Sequence, residues 1–307
     1  MNNRRQFIRS ISLGGAGLAL AGQAKAQEAT AAKPESKPSR RFKTSLAAYS
    51  LRNQLPNYRG GQSPAKKELD MLGFLDYCTT LDVDAAEITS YFLPHPCPND
   101  LALELRRRAH LSGLDISGGA IGNNFSFPDG PELEKQMAYT EEWIKTYALM
   151  GAPVIRVFAG HPKTKGLSAE DAEKNIVKNL KRACTIAAKH GVILGVENHD
   201  FTTDIDRMLR ILDAVESPWF GLNFDSGNLA KTSDPYADLK RIAPHTVNAQ
   251  LKIHIPSNGK KEPADFKKIV DILAEANYRG YLVLEYESGK PYEEIPMYLE
   301  KLREAIG

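Results

Sequence analysis

From residue 43 onward the chain alternates between two hydrophobic patterns. Short apolar runs, read as strands, occupy 43–51, 85–89, 115–121, 153–158, 192–197, 220–224, 246–253 and 281–285. Between them apolar residues recur every three or four positions. That spacing predicts helices over 64–81, 99–111, 132–150, 168–190, a stretch ending near 215, 235–242, 263–276 and 292–306. Leu69, Leu72, Phe74, Leu75 and Cys78 share one face of the first helix, and Asn99 is placed to cap the second. Ser168-Ala-Glu-Asp171 opens the fourth almost as a capping box, with Gly191 at its stop. Strand–helix alternation implies a parallel sheet, and eight units in roughly 265 residues match a closed (β/α)8 TIM barrel forming a single domain over 42–307. A doubly wound open sheet is disfavoured, because no Gly-x-Gly-x-x-Gly follows the first strand.

Four strands carry polar residues that clash with their apolar surroundings. Glu197 closes the fifth, Asp225 follows the sixth, Gln250 lies within the seventh and Glu285 closes the eighth. A carboxylate among Val, Ile and Leu is costly to bury unless it is paired or coordinates a cation. In a TIM barrel the working residues sit at the C-terminal strand ends, so consecutive strands bring these four to a common point. Three carboxylates that close repel one another unless a divalent cation neutralises them. Glu197, Asp225, Gln250 (through its amide carbonyl) and Glu285 are thus the expected metal ligands. An all-oxygen set suits Mn²⁺ or Mg²⁺, with Co²⁺ or Zn²⁺ as further options. Around them, Glu87, His199, Lys252, His161, Arg52 and His254 are candidates for substrate contact. Glu87 has a second reading as a structural ion pair with Arg52. Lys252 shares the face of Gln250 by strand alternation and is placed to stabilise an oxyanion. Trp143 and Trp219 read as core.

The whole chain has 40 basic and 38 acidic residues, a formal charge of +2. Its first segment has a different character. Asn3-Arg4-Arg5-Gln6-Phe7-Ile8-Arg9 precedes the modestly apolar, Gly-rich stretch 11–21, and Ala24-Lys25-Ala26 follows. This order resembles a twin-arginine export signal, which implies passage through the twin-arginine export machinery and a periplasmic location. The apolar stretch is too short to serve as a stable membrane anchor. Residues 27–41 read as a linker. Removing 1–26 takes away four basic residues and no acids, leaving 36 against 38. A chain so near neutrality has no electrostatic footprint for nucleic acid. Three cysteines, Cys78, Cys97 and Cys184, give no disulfide framework and read as free thiols.

Several motifs together are similar to the sugar phosphate isomerase/epimerase family, the xylose-isomerase-like (AP endonuclease 2) TIM barrel superfamily that also contains endonuclease IV. They are Ala48-Tyr-Ser-Leu-Arg52, Ala86-Glu-Ile-Thr-Ser90, Val196-Glu-Asn-His199, Asn223-Phe-Asp-Ser-Gly-Asn228, Gln250-Leu-Lys252 and Leu284-Glu-Tyr-Glu287. The similarity runs from about residue 43 to 306. In the family's ketose epimerases, Glu, Asp, His and Glu from strands five to eight hold a metal; by position these are Glu197, Asp225, Gln250 and Glu285. Gln250 thus stands where relatives have His, and Asn228 where the Asp-x-x-His pattern of many members ends. Both changes remove an imidazole.

The resemblance implies an isomerase or epimerase acting through an enediolate, with Glu197 and Glu285 moving protons at opposite faces of the carbon. Export argues for a non-phosphorylated sugar or keto sugar. A keto-sugar lyase or hydratase at the same site and a catalytically degenerate sugar-binding barrel stay open, as does a homo-oligomer. An endonuclease IV-like role needs a His-rich cluster, and this chain has seven His with few at strand ends.

Overall fold

In the computed structural model the described residues are 42–307, apart from 60–64, 66, 163–165, 231 and 233. The expected export signal (1–26) and linker (27–41) lie outside them, as does the expected start of the first helix at 64.

Eight parallel strands close into a barrel. In order around it they are β1 (Lys43–Ala47), β2 (Ala85–Thr89), β3 (Asp115–Ala120), β4 (Val154–Val157), β5 (Ile193–Glu197), β6 (Phe220–Asp225), β7 (Thr246–Lys252) and β10 (Tyr281–Glu285), which pairs back onto β1. The helices α1 (Met71–Cys78), α2 (Asn99–Leu111), α3 (Pro131–Met150), α4 (Ala169–His190), α5 (Ile205–Ala214), α6 (Pro235–Ile242), α7 (Phe266–Glu275) and α8 (Pro291–Ile306) alternate with them. The fold is the expected single-domain (β/α)8 barrel. No helix among the described residues is long and apolar enough to cross a membrane.

Successive strand residues point alternately out to the helices and into the barrel. Outward positions such as Leu46, Ile88, Leu194, Val196, Leu222, Phe224, Leu251 and Leu284 are fully buried in one continuous apolar layer. At Gly119 an added Cβ would fall 2.1 Å from the Tyr147 ring, so this glycine lets α3 lie close against β3. Tyr147 uses that closeness to donate a 2.6 Å hydrogen bond to the Ile88 carbonyl. Inward positions are strongly polar: Ser45, Glu87, Asn223, Asn248 and Gln250 are all buried. The usual filling of a TIM barrel is branched apolar side chains, so a polar interior calls for a polar network.

Several boundaries differ from the sequence reading. The first helix starts at Met71, where the Asp70 side chain accepts from the Gly73 amide at 2.7 Å; Leu69 belongs to the approach and packs on the core from outside the helix. Asn99 is the first residue of α2, not its cap. The seventh strand ends at Lys252, and a hairpin of β8 (His254–Ser257) and β9 (Lys260–Pro263) follows. Its turn is Asn258-Gly259, both residues at positive φ, an overlooked hairpin signal. The seventh helix consequently starts at Phe266, capped by Asp265. Ser168 and Gly191 bound α4 as expected. Trp143 is core, and Cys78 and Cys184 are buried free thiols, with Cys97 half-buried.

Candidate active site

The strand register sets two polar layers inside the barrel. Asn223 on β6 lies beside Glu197 on β5, Asp225 beside Gln250 on β7, and Lys252 beside Glu285 on β10. Along the strands, Asn223 lies two residues before Asp225, and Asn248 and Gln250 precede Lys252, so these amides sit below the strand ends, while Glu197, Asp225, Lys252 and Glu285 ring the mouth.

The lower layer is a closed ring of hydrogen bonds. Asn248 Nδ2 donates to Glu87 Oε1 at 2.9 Å and to Asn223 Oδ1 at 2.7 Å. Asn223 Nδ2 donates to Gln250 Oε1 at 2.6 Å, and Gln250 Nε2 donates to Glu87 Oε2 at 2.6 Å. Because Asn248 donates at both ends and Asn223 and Gln250 each donate once, the fourth member must accept at both ends; a carboxylate does so. Burial works the other way, pushing the Glu87 carboxyl up to about 7 against the two amides that stabilise its charge. Gln250 is thus placed differently from its expected role: its carbonyl oxygen is turned to Asn223. Glu87 is a partner of amides, not of Arg52, which donates to the Tyr286 carbonyl at 3.2 Å and lies over the Tyr49 ring.

The mouth is built from charge. Lys252 Nζ lies 2.9 Å from Glu287 Oε2, 3.2 Å from Glu285 Oε1 and 3.6 Å from Asp225 Oδ2. Burial lowers the pKa of this ammonium, but Asp225, Glu285 and Glu287 outweigh it and hold the group above the ordinary lysine value. Arg156 on β4 brings a second buried cation, its Nε 3.1 Å from Glu197 Oε2. Its other nitrogens donate to the Ile121 carbonyl and the Tyr91 hydroxyl. Asn228 Nδ2 bridges Glu197 Oε1 at 3.2 Å and Asp225 Oδ2 at 3.0 Å, and Asp225 Oδ1 accepts from the amides of Gly227 and Asn228. Burial raises the pKa of both Glu197 and Asp225, with Arg156 opposing it at the first and Lys252 at the second. Asn198 ties this end together: it donates to the carbonyls of Asp225 and Asn228 and accepts from the Asp225 amide.

As folded, this donor set does not fit a divalent ion. Among the described residues no three His, Cys, Asp or Glu side chains are grouped so as to hold one. The oxygens expected to ligate face nitrogen groups instead: Gln250 accepts from Asn223, Asp225 and Glu197 from Asn228, and Glu285 from Lys252, while Asp225 lies 3.6 Å from the Lys252 ammonium and Glu197 Oε2 lies 3.1 Å from Arg156 Nε without an aligned hydrogen bond.

Above these charges opens a cavity of about 310 Å³, lined by Glu197, Glu285, Lys252 and Arg156 with the aromatic rings of Tyr49, Tyr91 and Phe158. His199 lines it too, its ring 4.7 Å from that of Phe158. Burial holds the imidazole below its ordinary pKa, with Asp200 opposing. An adjoining cavity of about 440 Å³ carries the exposed His161 beside Arg59 and His199. His254 opens β8 and lines a separate small recess with Asn228, Lys252 and Glu287. A surface groove of about 820 Å³ lies between α4 and α5 and is lined by residues of those two helices. Sequence reading missed Arg156, Asn223 and Asn248 as site residues. Arg156 is a lone charge in Val154-Ile-Arg-Val157, the same signal that exposed Glu197, while Asn223 and Asn248 continue the inward alternation of Asp225 and Gln250.

Many solved structures share this fold. A D-psicose 3-epimerase with D-tagatose from Clostridium cellulolyticum H10 superposes with a TM-score of 0.66 at 16% identity, covering 86% of this chain and 99% of that one. The 3-keto-D-glucoside 4-epimerase from E. coli gives 0.60 at 16%, covering 86% and 99%. A xylose isomerase-like TIM barrel protein from Mycobacterium smegmatis, in complex with magnesium, gives 0.63 at 16%, covering 89% and 100%. No curated protein matches the sequence. The profile of the xylose isomerase-like TIM barrel family matches residues 75–305, three quarters of the chain, and the protein belongs to that family.

Proposed function

We propose that this protein is an isomerase or epimerase of a non-phosphorylated sugar or keto sugar, working by proton transfer next to a carbonyl. The observation that carries the reading is the mouth itself: two buried carboxylates on strands three apart around the barrel, with an ammonium beside them, under a cavity walled by aromatic rings. About 310 Å³ is at the small end of ligand sites, which suits a monosaccharide. Tyr49, Tyr91 and Phe158 offer flat apolar faces for sugar C–H groups, and the surrounding charges take the hydroxyls. Glu197 and Glu285 are the proton movers, with burial raising the pKa of Glu197 toward the range of a working acid–base group. One carboxylate takes the proton from the carbon next to the carbonyl. The C–H electron pair forms the enediol double bond, and the carbonyl pair moves onto oxygen. Return of a proton to the opposite face of that carbon epimerises it; return to the neighbouring carbon, the former carbonyl carbon, with the hydroxyl proton passing from one enediol oxygen to the other, isomerises aldose and ketose.

The sugar-directed epimerases that share the fold support this class of reaction. The twin-arginine-like leader supports a periplasmic protein, and with it a substrate without phosphate. The test is a screen of free aldoses, ketoses and 3-keto sugars in D₂O, followed by NMR. The expected result is deuterium at a carbon next to the carbonyl at unchanged substrate mass apart from exchange, abolished in Glu197→Gln and Glu285→Gln. Loss or gain of water would assign a keto-sugar lyase or hydratase instead, and binding of sugars without any exchange would overturn the enzyme reading.

A further inference from the structure

The family relatives include a magnesium complex, yet the mouth of this barrel is drawn together by nitrogen donors. We infer that the cation of this site is the Lys252 ammonium, standing where a divalent ion would bridge Asp225 and Glu285, so that the protein works without a resident metal. The inference deepens the proton-transfer reading above and, for the role of Lys252 in the reaction, rests on it.

Three observations carry it. First, Lys252 Nζ is held 3.2 Å from Glu285 and 3.6 Å from Asp225, with Glu287 at 2.9 Å completing its shell. A divalent ion shared by Asp225 and Glu285 would lie against this ammonium, and two cations at such a distance repel strongly in a buried site. Second, the chain makes room for the lysine. Gly227 follows Asp225 by two residues, and a Cβ there would fall 2.6 Å from Lys252 Cδ and 3.0 Å from Lys252 Cβ. The Lys252 backbone amide is fixed on the Ser226 hydroxyl at 2.8 Å. The stem is therefore packed into place, with the side chain only 13% exposed. Third, both departures from the family pattern supply N–H groups where an imidazole nitrogen would ligate. Asn228 donates to Glu197 and Asp225, and Gln250 donates to Glu87 while its oxygen is taken by Asn223.

In the reaction this ammonium takes the part of an oxyanion partner. When a carboxylate removes the α-proton and the carbonyl pair moves to oxygen, Lys252 donates to that oxygen. It keeps its own proton, and the reverse movement restores the carbonyl.

The experiment measures metal rather than turnover. Wild-type protein, folded in cells supplied with Mn²⁺, is assayed for bound metal by elemental analysis, and its Tm is followed with Mn²⁺ or EDTA. Lys252→Met, which removes the ammonium but keeps the length of the stem, and Lys252→Gln, which replaces it with a shorter neutral amide, are measured alongside. The wild type is expected to carry only a small fraction of an ion per chain and to keep its Tm in both additives. The variants are expected to take up Mn²⁺ with a rise in Tm of several degrees at about a hundredfold excess over Kd. About one tightly held divalent ion per wild-type chain, with a Tm that falls in EDTA, overturns the inference. So do folded variants that remain blind to Mn²⁺. If neither variant folds, the metal content of the wild type alone decides. A failure of the sugar screen would remove the proton-transfer reading but would leave these titrations unchanged, and deuterium exchange that survives EDTA would support both.

Discussion

The two polar layers inside this barrel are built from similar residues and obey opposite rules. In the lower one, Glu87, Asn223, Asn248 and Gln250 meet in a ring in which donors face acceptors at 2.6–2.9 Å. In the upper one, four carboxylates (Glu197, Asp225, Glu285 and Glu287) face two cations, and Arg156 Nε and Glu197 Oε2 lie 3.1 Å apart without an aligned hydrogen bond. A matched buried network fixes a structure; an unmatched one keeps charge available for something that enters. The ring replaces the apolar filling of a barrel and gives Gln250 its position, while the mouth holds groups whose protonation a substrate can change.

Activity gives the largest expected contrast. Glu285→Gln leaves Lys252 with Asp225 and Glu287, so unfolding stability should stay within about 1 kcal/mol. Deuterium exchange should fall by about 10²–10⁴ if Glu285 moves a proton. A variant that keeps its exchange rate would take Glu285 out of the reaction. Arg156→Met tests whether the upper layer is only functional. It strands Glu197 and removes the donors to the Ile121 carbonyl and the Tyr91 hydroxyl. A stability loss of about 3–5 kcal/mol in urea unfolding is expected, the cost of an unpaired buried charge. A loss below about 1 kcal/mol would mean that Glu197 is neutral without Arg156.

The sequence made the frame of these layers readable, because each strand is a short apolar run and each carboxylate in it is an anomaly. Glu197, Asp225 and Glu285 stood out on that ground, and the barrel brings them to one end. The partners of Gln250 were not readable. Whether its amide oxygen turns to a cation or to Asn223 depends on a cross-strand register with a bulge at Leu222/Asn223, which no local pattern encodes. Lys252 was read as an oxyanion partner from strand alternation alone, but its contact with Glu287 depends on where the chain goes after β10 ends. The hairpin after β7 was hidden for a different reason: four exposed residues in β9 carry no hydrophobic signal, and only Asn258-Gly259 marks the turn.

Glu87→Gln strains the lower layer. An amide at this position presents a donor on one side, so Asn248, which donates on both sides, must turn its oxygen to position 87 to close the ring head to tail; where packing prevents that turn, one buried mismatch worth about 1–3 kcal/mol remains. The pH dependence sharpens this. A carboxyl raised in the fold to about 7 contributes stability that is fully present below its unfolded value near 4.5 and lost as pH rises through 7. The gap between wild type and variant should therefore narrow from about pH 5 to pH 8, by up to about 3 kcal/mol. A gap constant with pH would mean that the amides hold Glu87 ionised throughout.

The smallest effect lies deeper, where Ser45 and Ser117 share a buried 2.8 Å hydrogen bond across the barrel. Ser117→Ala strands the Ser45 hydroxyl and should cost about 1 kcal/mol, whereas Ser45→Ala with Ser117→Ala removes both polar groups and should be nearly neutral. The deuterium exchange rate should be untouched in all of these variants. If the double variant costs more than the single one, the hydroxyl pair is coupled to the ring above it, and the division between a layer that builds and a layer that works begins lower in the barrel than the geometry of the ring indicates.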